Sequence, residues 1–305
     1  MRLFLEQTLN GLQGGFTLLM VSAGLTLIFG IMNVINLAHG ALFTIAAFVA
    51  ADVGVRTGNF AAALAAGVLA AALAGVVVEV LIVRRLYLRN HLDQVLATFA
   101  LVLMANQGVQ MVYGTSPTIL QRPAMFDGSV PVLPGVDYPI YRLVIIGAGI
   151  VAIGVLYLVI GKTRVGMWIR AGTSHREMLG AFGVNVPLVY TMVFALGAAL
   201  AGFAGVMAAP YLSVESGVGD NFLILSFVVI VIGGIGSLKG AIVGSMILGL
   251  VDTWARTYVP TLLENFFETS TAATVGASIA SASIYLVMVV VLLVRPNGLY
   301  GVDYG

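Results

Sequence analysis

The side chains able to do chemistry in this sequence fall in a few places. Asn33, Asn36 and His39 lie in a run from Gln7 to Asp52 that has no formal charge between its ends apart from His39, in the stretch Asn33-Val34-Ile35-Asn36-Leu37-Ala38-His39-Gly40. An unpaired polar group in hydrocarbon costs several kcal/mol, so these three must face protein or water. Two roles fit. They line a pathway beside a broken helix, or they hold two helices together by interhelical hydrogen bonds; His39 also suits a cytoplasmic boundary. Glu79 and Asp252, the latter with Arg256, are the acids nearest to membrane depth. Intramembrane acids are functional candidates by default, but positions near predicted helix ends favour a solvated or paired role for both.

A second segment, Gly233-Gly234-Ile235-Gly236-Ser237-Leu238-Lys239-Gly240 and on to Gly249, combines six glycines with one charge, Lys239. Gly240 and Gly244 have the four-residue spacing that lets helices approach closely. Setting Gly40-Ala41 on Gly240-Ala241 places His39 opposite Lys239, a weak echo of one break in the other.

The third segment runs from Thr163 to Pro187 and is too long for a minimal turn. Thr173 or Ser174 can cap a short helix, with Glu177 completing a capping box after Ser174. Met178, Leu179 and Phe182 then form an apolar stripe at helical spacing. Gly183 can end that helix and Pro187 can start the next element. Such a helix plugs into a groove of a partner protein or lies on lipid headgroups; spacing alone leaves both open.

What is missing narrows the chemistry. No phosphate-binding Gly-x-x-x-x-Gly-Lys-Ser/Thr, His-Glu-x-x-His or Gly-x-Ser-x-Gly pattern occurs, so the chain holds no visible motor or hydrolytic centre. Cysteine is absent, which excludes thiolate metal sites, and His39, His91 and His175 have no ligand spacing.

The elements that must position these residues follow from composition. Of 305 residues, 60% are hydrophobic and 9% charged, against roughly 25% charged in soluble domains. A soluble fold would expose apolar patches that invite aggregation. Net charge is +1, which gives no bulk attraction for nucleic acid. The apolar runs exceed the ~10 residues of barrel strands and suit spanning helices of about 20. The fold class is therefore an all-α integral membrane protein of about nine transmembrane helices with broken segments. Crossings fall within 7–52 around a break at 33–40, near 60–83, 94–113, 141–161 and 186–210, twice within 221–251, and at 279–294. No cleavable signal peptide is evident; the first apolar stretch reads as a retained span. Residues 114–140, with five prolines, form an outward-facing loop that is either a docking surface or an ordered cap.

Orientation follows from basic residues. Arg84, Arg85 and Arg89 share one loop; Lys162, Arg164, Arg170 and Arg176 share another; Lys239 and Arg295 fall on the same side. Lys and Arg enrichment marks the cytoplasmic side, which puts the N-terminus outside and the C-terminus inside.

Four motifs in order carry a family resemblance. Gly24 to Gly30 followed by Asn33 to Gly40 resembles the opening signature of LivH-type permeases, the transmembrane subunits of branched-chain amino acid ABC importers. This chain has Asn36-Leu37-Ala38-His39-Gly40 where that family usually has Asn-Phe-Ala-His-Gly. Arg170 to Val184 resembles the coupling segment, Gly233 to Gly244 the late glycine-rich signature, and Arg295-Pro296-Asn297-Gly298-Leu299 the closing motif. The resemblance implies a type II-like permease architecture in one transmembrane domain over 1–305, with a cytoplasmic coupling segment at 163–186. It implies a second homologous permease subunit, two cytoplasmic ATPases and a periplasmic substrate-binding protein in a bacterial inner membrane. ATP would be bound by the partners, with no cofactor in this chain and no covalent chemistry. Arg170, His175, Arg176, Glu177, Met178, Leu179 and Phe182 would couple to the ATPase. Asn33, Asn36, His39, Gly40, Gly233, Gly236 and Lys239 would lie near the translocation pathway. The family also carries urea, amides and aromatic carboxylates, so the substrate stays open.

An ion-coupled secondary transporter is the main competing class. It needs deep carboxylates or unwound carbonyl sites for the ion, and deep carboxylates are scarce here. A membrane enzyme needs a convergent acid–base or metal constellation, and none is visible.

Overall fold

The computed structural model describes residues 1–133, 136–174 and 176–301, with backbone alone at 133, 173, 174, 176 and 177. The architecture is the expected all-α membrane fold. Eight helices are long and apolar enough to cross a membrane: α1 (Arg2–Met32), α2 (His39–Thr57), α3 (Phe60–Leu81), α4 (His91–Tyr113), α5 (Ile140–Lys162), α8 (Val186–Ala208), α10 (Leu238–Leu263) and α11 (Thr269–Val294). The short α6 (Arg164–Ser174) and α7 (Arg176–Ala181) precede α8, and α9 (Val218–Gly233) precedes α10. At about 24 Å, α9 is shorter than the ~30 Å hydrocarbon core. Among the described residues, α9 and these eight make nine apolar helices, against the nine crossings that the charge-free runs predict.

Three boundaries differ from the sequence reading. First, α11 begins at Thr269 rather than near 279. Its first half is rich in Ala, Ser and Thr, and Thr274, Ser278 and Ser281 each return their hydroxyl to the carbonyl four residues back. Hydroxyls bonded in this way let small polar residues stay helical. Second, α10 runs past 251 to Leu263, and Asp252 and Arg256 pair one turn apart on it at 2.7 Å, which keeps both charges compatible with the helix. Third, α6 is an added helix. Thr163 Oγ1 donates to the Val159 carbonyl and accepts the Gly166 N–H at 3.1 Å, so α6 folds back on the end of α5. Gly166 has no room for a Cβ there, against the Ile160 and Val159 carbonyls.

The described residues form two compact units. The first comprises residues 1–19, 124–149 and 226–301. In it Gly11 and Gly15 of α1 lie against the Gly249 and Ser245 backbone of α10. The loop before α5 contains an antiparallel hairpin, β1 (Ser129–Leu133) and β2 (Val136–Pro139), with Ser129 opposite Pro139. Tyr138 is buried and donates to Asn10 Oδ1 at 3.1 Å, which also accepts from Arg142.

The second unit comprises residues 20–123 and 150–225. Its centre is the packing of α2, α3 and α8. The buried face of α3 is Ala63, Gly67, Ala71, Gly75 and Glu79, one residue every four. A Cβ on Gly75 or Gly202 would fall about 2.5 Å from the Ala198 or Ala71 methyl, so each helix seats an alanine methyl of the other against a bare glycine. Lipid tails supply no hydrophobic drive between helices, so close van der Waals contact holds them. Asn59, Asn90 and Asn185 cap α3, α4 and α8 with their side-chain oxygens.

Candidate functional site

Asn33 ends α1. Its N–H bonds the Phe29 carbonyl at 2.9 Å and its φ is +51°, in the left-handed region that asparagine tolerates at a helix end. Asn33 is exposed, whereas Asn36 and His39 are fully buried. Asn36 Oδ1 accepts the Ala38 N–H at 3.1 Å, a local turn that starts α2. His39 Nε2 lies 3.1 Å from the Val21 carbonyl. A carbonyl only accepts, so this nitrogen carries the proton.

That bond fixes the path of the chain. From Val21, α1 continues to Met32, about 16 Å at 1.5 Å per residue. The 33–38 connection therefore doubles back beside α1 before α2 begins. Gln94, which the sequence reading did not single out, holds the connection. Its Oε1 accepts the Ile35 N–H at 3.3 Å, and its Nε2 donates to the Leu86 and Arg89 carbonyls. A glutamine four residues after the capping Asn90 was the available signal. Gly40 meets Gly219 at the first turn of α9; a Cβ on either would strike the other's carbonyl. Thr44 Oγ1 accepts the Gly219 N–H at 3.0 Å and caps α9.

The second predicted segment forms the α9–α10 bend. Gly233 is buried with its backbone against Gly240. Gly234 and Gly236 have φ of +100° and +78°, and Ser237 caps α10 through the Gly240 N–H. Gly236 and Lys239 are exposed. His39 and Lys239, aligned in the sequence, thus have unlike surroundings. The closing motif seals this bend. Leu299 and Tyr300 donate their N–H groups to the Ile232 and Gly233 carbonyls at 2.8 and 2.9 Å. These are carbonyls that a helix end leaves unpaired. Gly298 makes the seal possible, with φ +79° and the Gly234 backbone 2.5 Å from any Cβ. Gly298→Ala should therefore lower the thermal stability of the detergent-solubilised protein by at least the ~1–2 kcal/mol of a left-handed non-glycine residue. An unchanged melting temperature and unchanged protease resistance of the C-terminus would show that the seal carries no stability.

In the segment 163–187, α7 is the short helix expected after Ser174. Gly183, φ +80°, ends it, and Pro187 lies in the first turn of α8, both as predicted. His175 lies outside the described residues, as do the side chains of Arg176 and Glu177 and with them the capping box. Arg170 donates to the Ile160 carbonyl. The apolar stripe divides: Leu179 is buried, while Met178 and Phe182 are 57% and 79% exposed.

Glu79, read as solvated or paired, is fully buried and paired. Arg84 grips both carboxylate oxygens at 3.2 and 3.0 Å. Thr191 of α8 donates to Oε2 at 2.7 Å, and Tyr87 donates to Oε1. Arg84 also donates to Thr191. The hydrogen bonds to Glu79 hold the Arg84 guanidinium charged, above its ordinary range, and burial pushes the Tyr87 phenol up.

The sequence has counterparts among known transport proteins. Residues 7–294 match the family described as permease components of branched-chain amino acid transport systems. The chain belongs to this family. It is 26% identical to the high-affinity branched-chain amino acid transport system permease protein BraD of Pseudomonas aeruginosa and to LivH of Escherichia coli K12. Each of these alignments covers 98% of this chain and 96% of the relative. It is also 26% identical to the ribose import permease RbsC of E. coli, over 76% of this chain and 72% of RbsC. No solved structure matches the chain. The protein is thus a multi-pass membrane protein whose relatives are transport permeases.

Proposed function

We propose that this chain is the transmembrane permease subunit of an ATP-driven importer of branched-chain or other hydrophobic amino acids. The observation that carries the reading is the family match across nearly the whole chain. A second homologous permease would share a central cavity with it, and two cytoplasmic ATPases would bind and hydrolyse ATP. A periplasmic binding protein would deliver substrate to the 114–139 loop. The chain itself would hold no cofactor and break no covalent bond. Exposed Met178 and Phe182 would seat in an ATPase groove, and movement of α6–α7 would reach α8 directly through the chain. Against ion coupling, Glu79, the carboxylate buried among the described residues, is already paired with Arg84.

The test is isolation from the native membrane in mild detergent, followed by reconstitution. Co-purification of ATPase subunits, with leucine uptake that requires internal ATP, supports the reading. A chain that comes out alone and transports down an ion gradient overturns it. The basic loops support a reading with the N-terminus outside the cytoplasm. A reporter fused there should be active only in the periplasm, and cytoplasmic activity would invert the assignment.

A further inference from the structure

We infer that the groove between α3 and α4 holds an acyl chain of an anionic phospholipid, whose phosphate is bound by Arg85 and Arg89 at the end of the groove. Packing makes the groove. Both helices lie against α2 but scarcely against each other, so a crevice remains between them. Its volume is about 240 Å³. Ala74 and Val78 line it from α3, Leu101 and Met104 from α4, and Leu42 and Phe194 form a buried floor. Every lining residue is apolar. Such a crevice has nothing to offer water, and left empty it forfeits dispersion contacts along its walls.

Its depth suits a chain hung from a headgroup. Leu101 lies ten residues into α4 from His91, about 15 Å at 1.5 Å per residue. That is half of a ~30 Å hydrocarbon core, so the groove and the 82–90 connection that joins the two helices share one leaflet. Met104, 69% exposed, stands at the open side.

The connection supplies the charge, and this observation is independent of the groove. It holds Arg84, Arg85 and Arg89. Arg84 is committed to Glu79. Arg85 and Arg89 are exposed, and Arg85 donates to the Leu81 carbonyl, the last of α3, which draws its guanidinium back over that helix end. A guanidinium has five N–H donors, so most of them stay free for a phosphate, which arginine takes in paired hydrogen bonds. The carboxylate of this end not already paired is Asp93, in the first turn of α4. Two arginines against Asp93 leave an excess of one positive charge, the complement of a phosphodiester. Leu88, between the two arginines, is 92% exposed. A bare leucine flanked by cations belongs at the boundary of headgroup and acyl chain, with its side chain in hydrocarbon and the guanidinium groups at phosphate level. A zwitterionic lipid would fill the groove equally well but would bring its own cation to the arginines, which favours the anionic one.

Phosphatidylglycerol with a diazirine in its acyl chain tests this on the full complex purified from membrane and placed in phosphatidylcholine nanodiscs. The label, mapped by mass spectrometry, should fall within 74–78 or 101–105. Unlabelled phosphatidylglycerol should compete and added phosphatidylcholine should not. Arg85→Gln with Arg89→Gln should cut this labelling about thirtyfold, whereas Arg85→Lys with Arg89→Lys, which keeps the charge, should retain most of it. Ala74→Phe, which fills the groove without touching the arginines, should remove the label from 101–105 in a complex that still assembles. Labelling elsewhere, equal competition by phosphatidylcholine, or unchanged labelling in the glutamine variant would overturn the site. So would photomethionine at Met104 crosslinking to a second protein chain, which would give this face to that chain. Neither labelling nor competition depends on what the chain transports, so the importer reading is tested separately.

Discussion

Arg84→Met should leave little folded protein, and the double variant Arg84→Met with Glu79→Gln should recover most of it. Glu79 is fully buried and its carboxylate faces Arg84 through two hydrogen bonds. Removing one partner of a buried pair strands a charge, at a cost of about 3–5 kcal/mol. Two features set the figure at the lower end. Arg84 is 37% exposed at its side chain, so water screens part of the pair, and Thr191 and Tyr87 still donate to the carboxylate once the guanidinium is gone. Neutralising Glu79 as well removes the stranded charge, and glutamine keeps an oxygen for Thr191. The measurement is the melting temperature and monodispersity of the four proteins of the cycle in detergent, which isolates the coupling between the two sites. If Arg84→Met melts with the parent, or if the double variant is no better than the single, the pair does not hold α3 to α8.

That cluster shows how far the sequence reaches. Charge-free runs locate the helices because charges are costly in hydrocarbon, and the loop with Arg84, Arg85 and Arg89 ends α3 where the structure ends it. Whether Glu79 meets water or an ion partner depends on Thr191, 112 residues away, and spacing along the chain does not report such a contact. The Ala63, Gly67, Ala71, Gly75 stripe has a legible four-residue period, but its meaning appears only against α8. The closing Arg295-to-Leu299 motif is readable as a motif, whereas its role as a cap on α9 is a tertiary fact. The start of α11 escaped for a different reason. Ser and Thr lower hydropathy, but their hydroxyls bond back to the helix and leave no group unpaired. Likewise Arg164 and Arg170 read as loop residues, whereas Arg170 donates to the Ile160 carbonyl at the end of α5 and sits in a helix.

Phe182→Ala should abolish transport-coupled ATP hydrolysis while leaving the chain folded and in the membrane. Phe182 is 79% exposed just past α7, and Met178 is 57% exposed one turn earlier, so truncating either removes little internal packing. Leu179 differs: it is buried, with its side chain near Gly172 of α6. Leu179→Ala should therefore destabilise the segment by the ~2–5 kcal/mol of a core truncation, and it serves as the control for structural damage. An aromatic anchor in a partner's groove is typically worth 2 kcal/mol or more. On that basis Phe182→Ala should weaken ATPase association by about thirtyfold, with Met178→Ala less severe. The readouts are ATPase recovery in the mild-detergent complex and substrate-stimulated hydrolysis in vesicles, each compared with the melting temperature of this chain alone. Lost association at an unchanged melting temperature assigns the α7 stripe to the partner. Full stimulation in Phe182→Ala would instead leave the stripe lying on lipid headgroups, the other environment in which exposed apolar residues on a short helix are at ease.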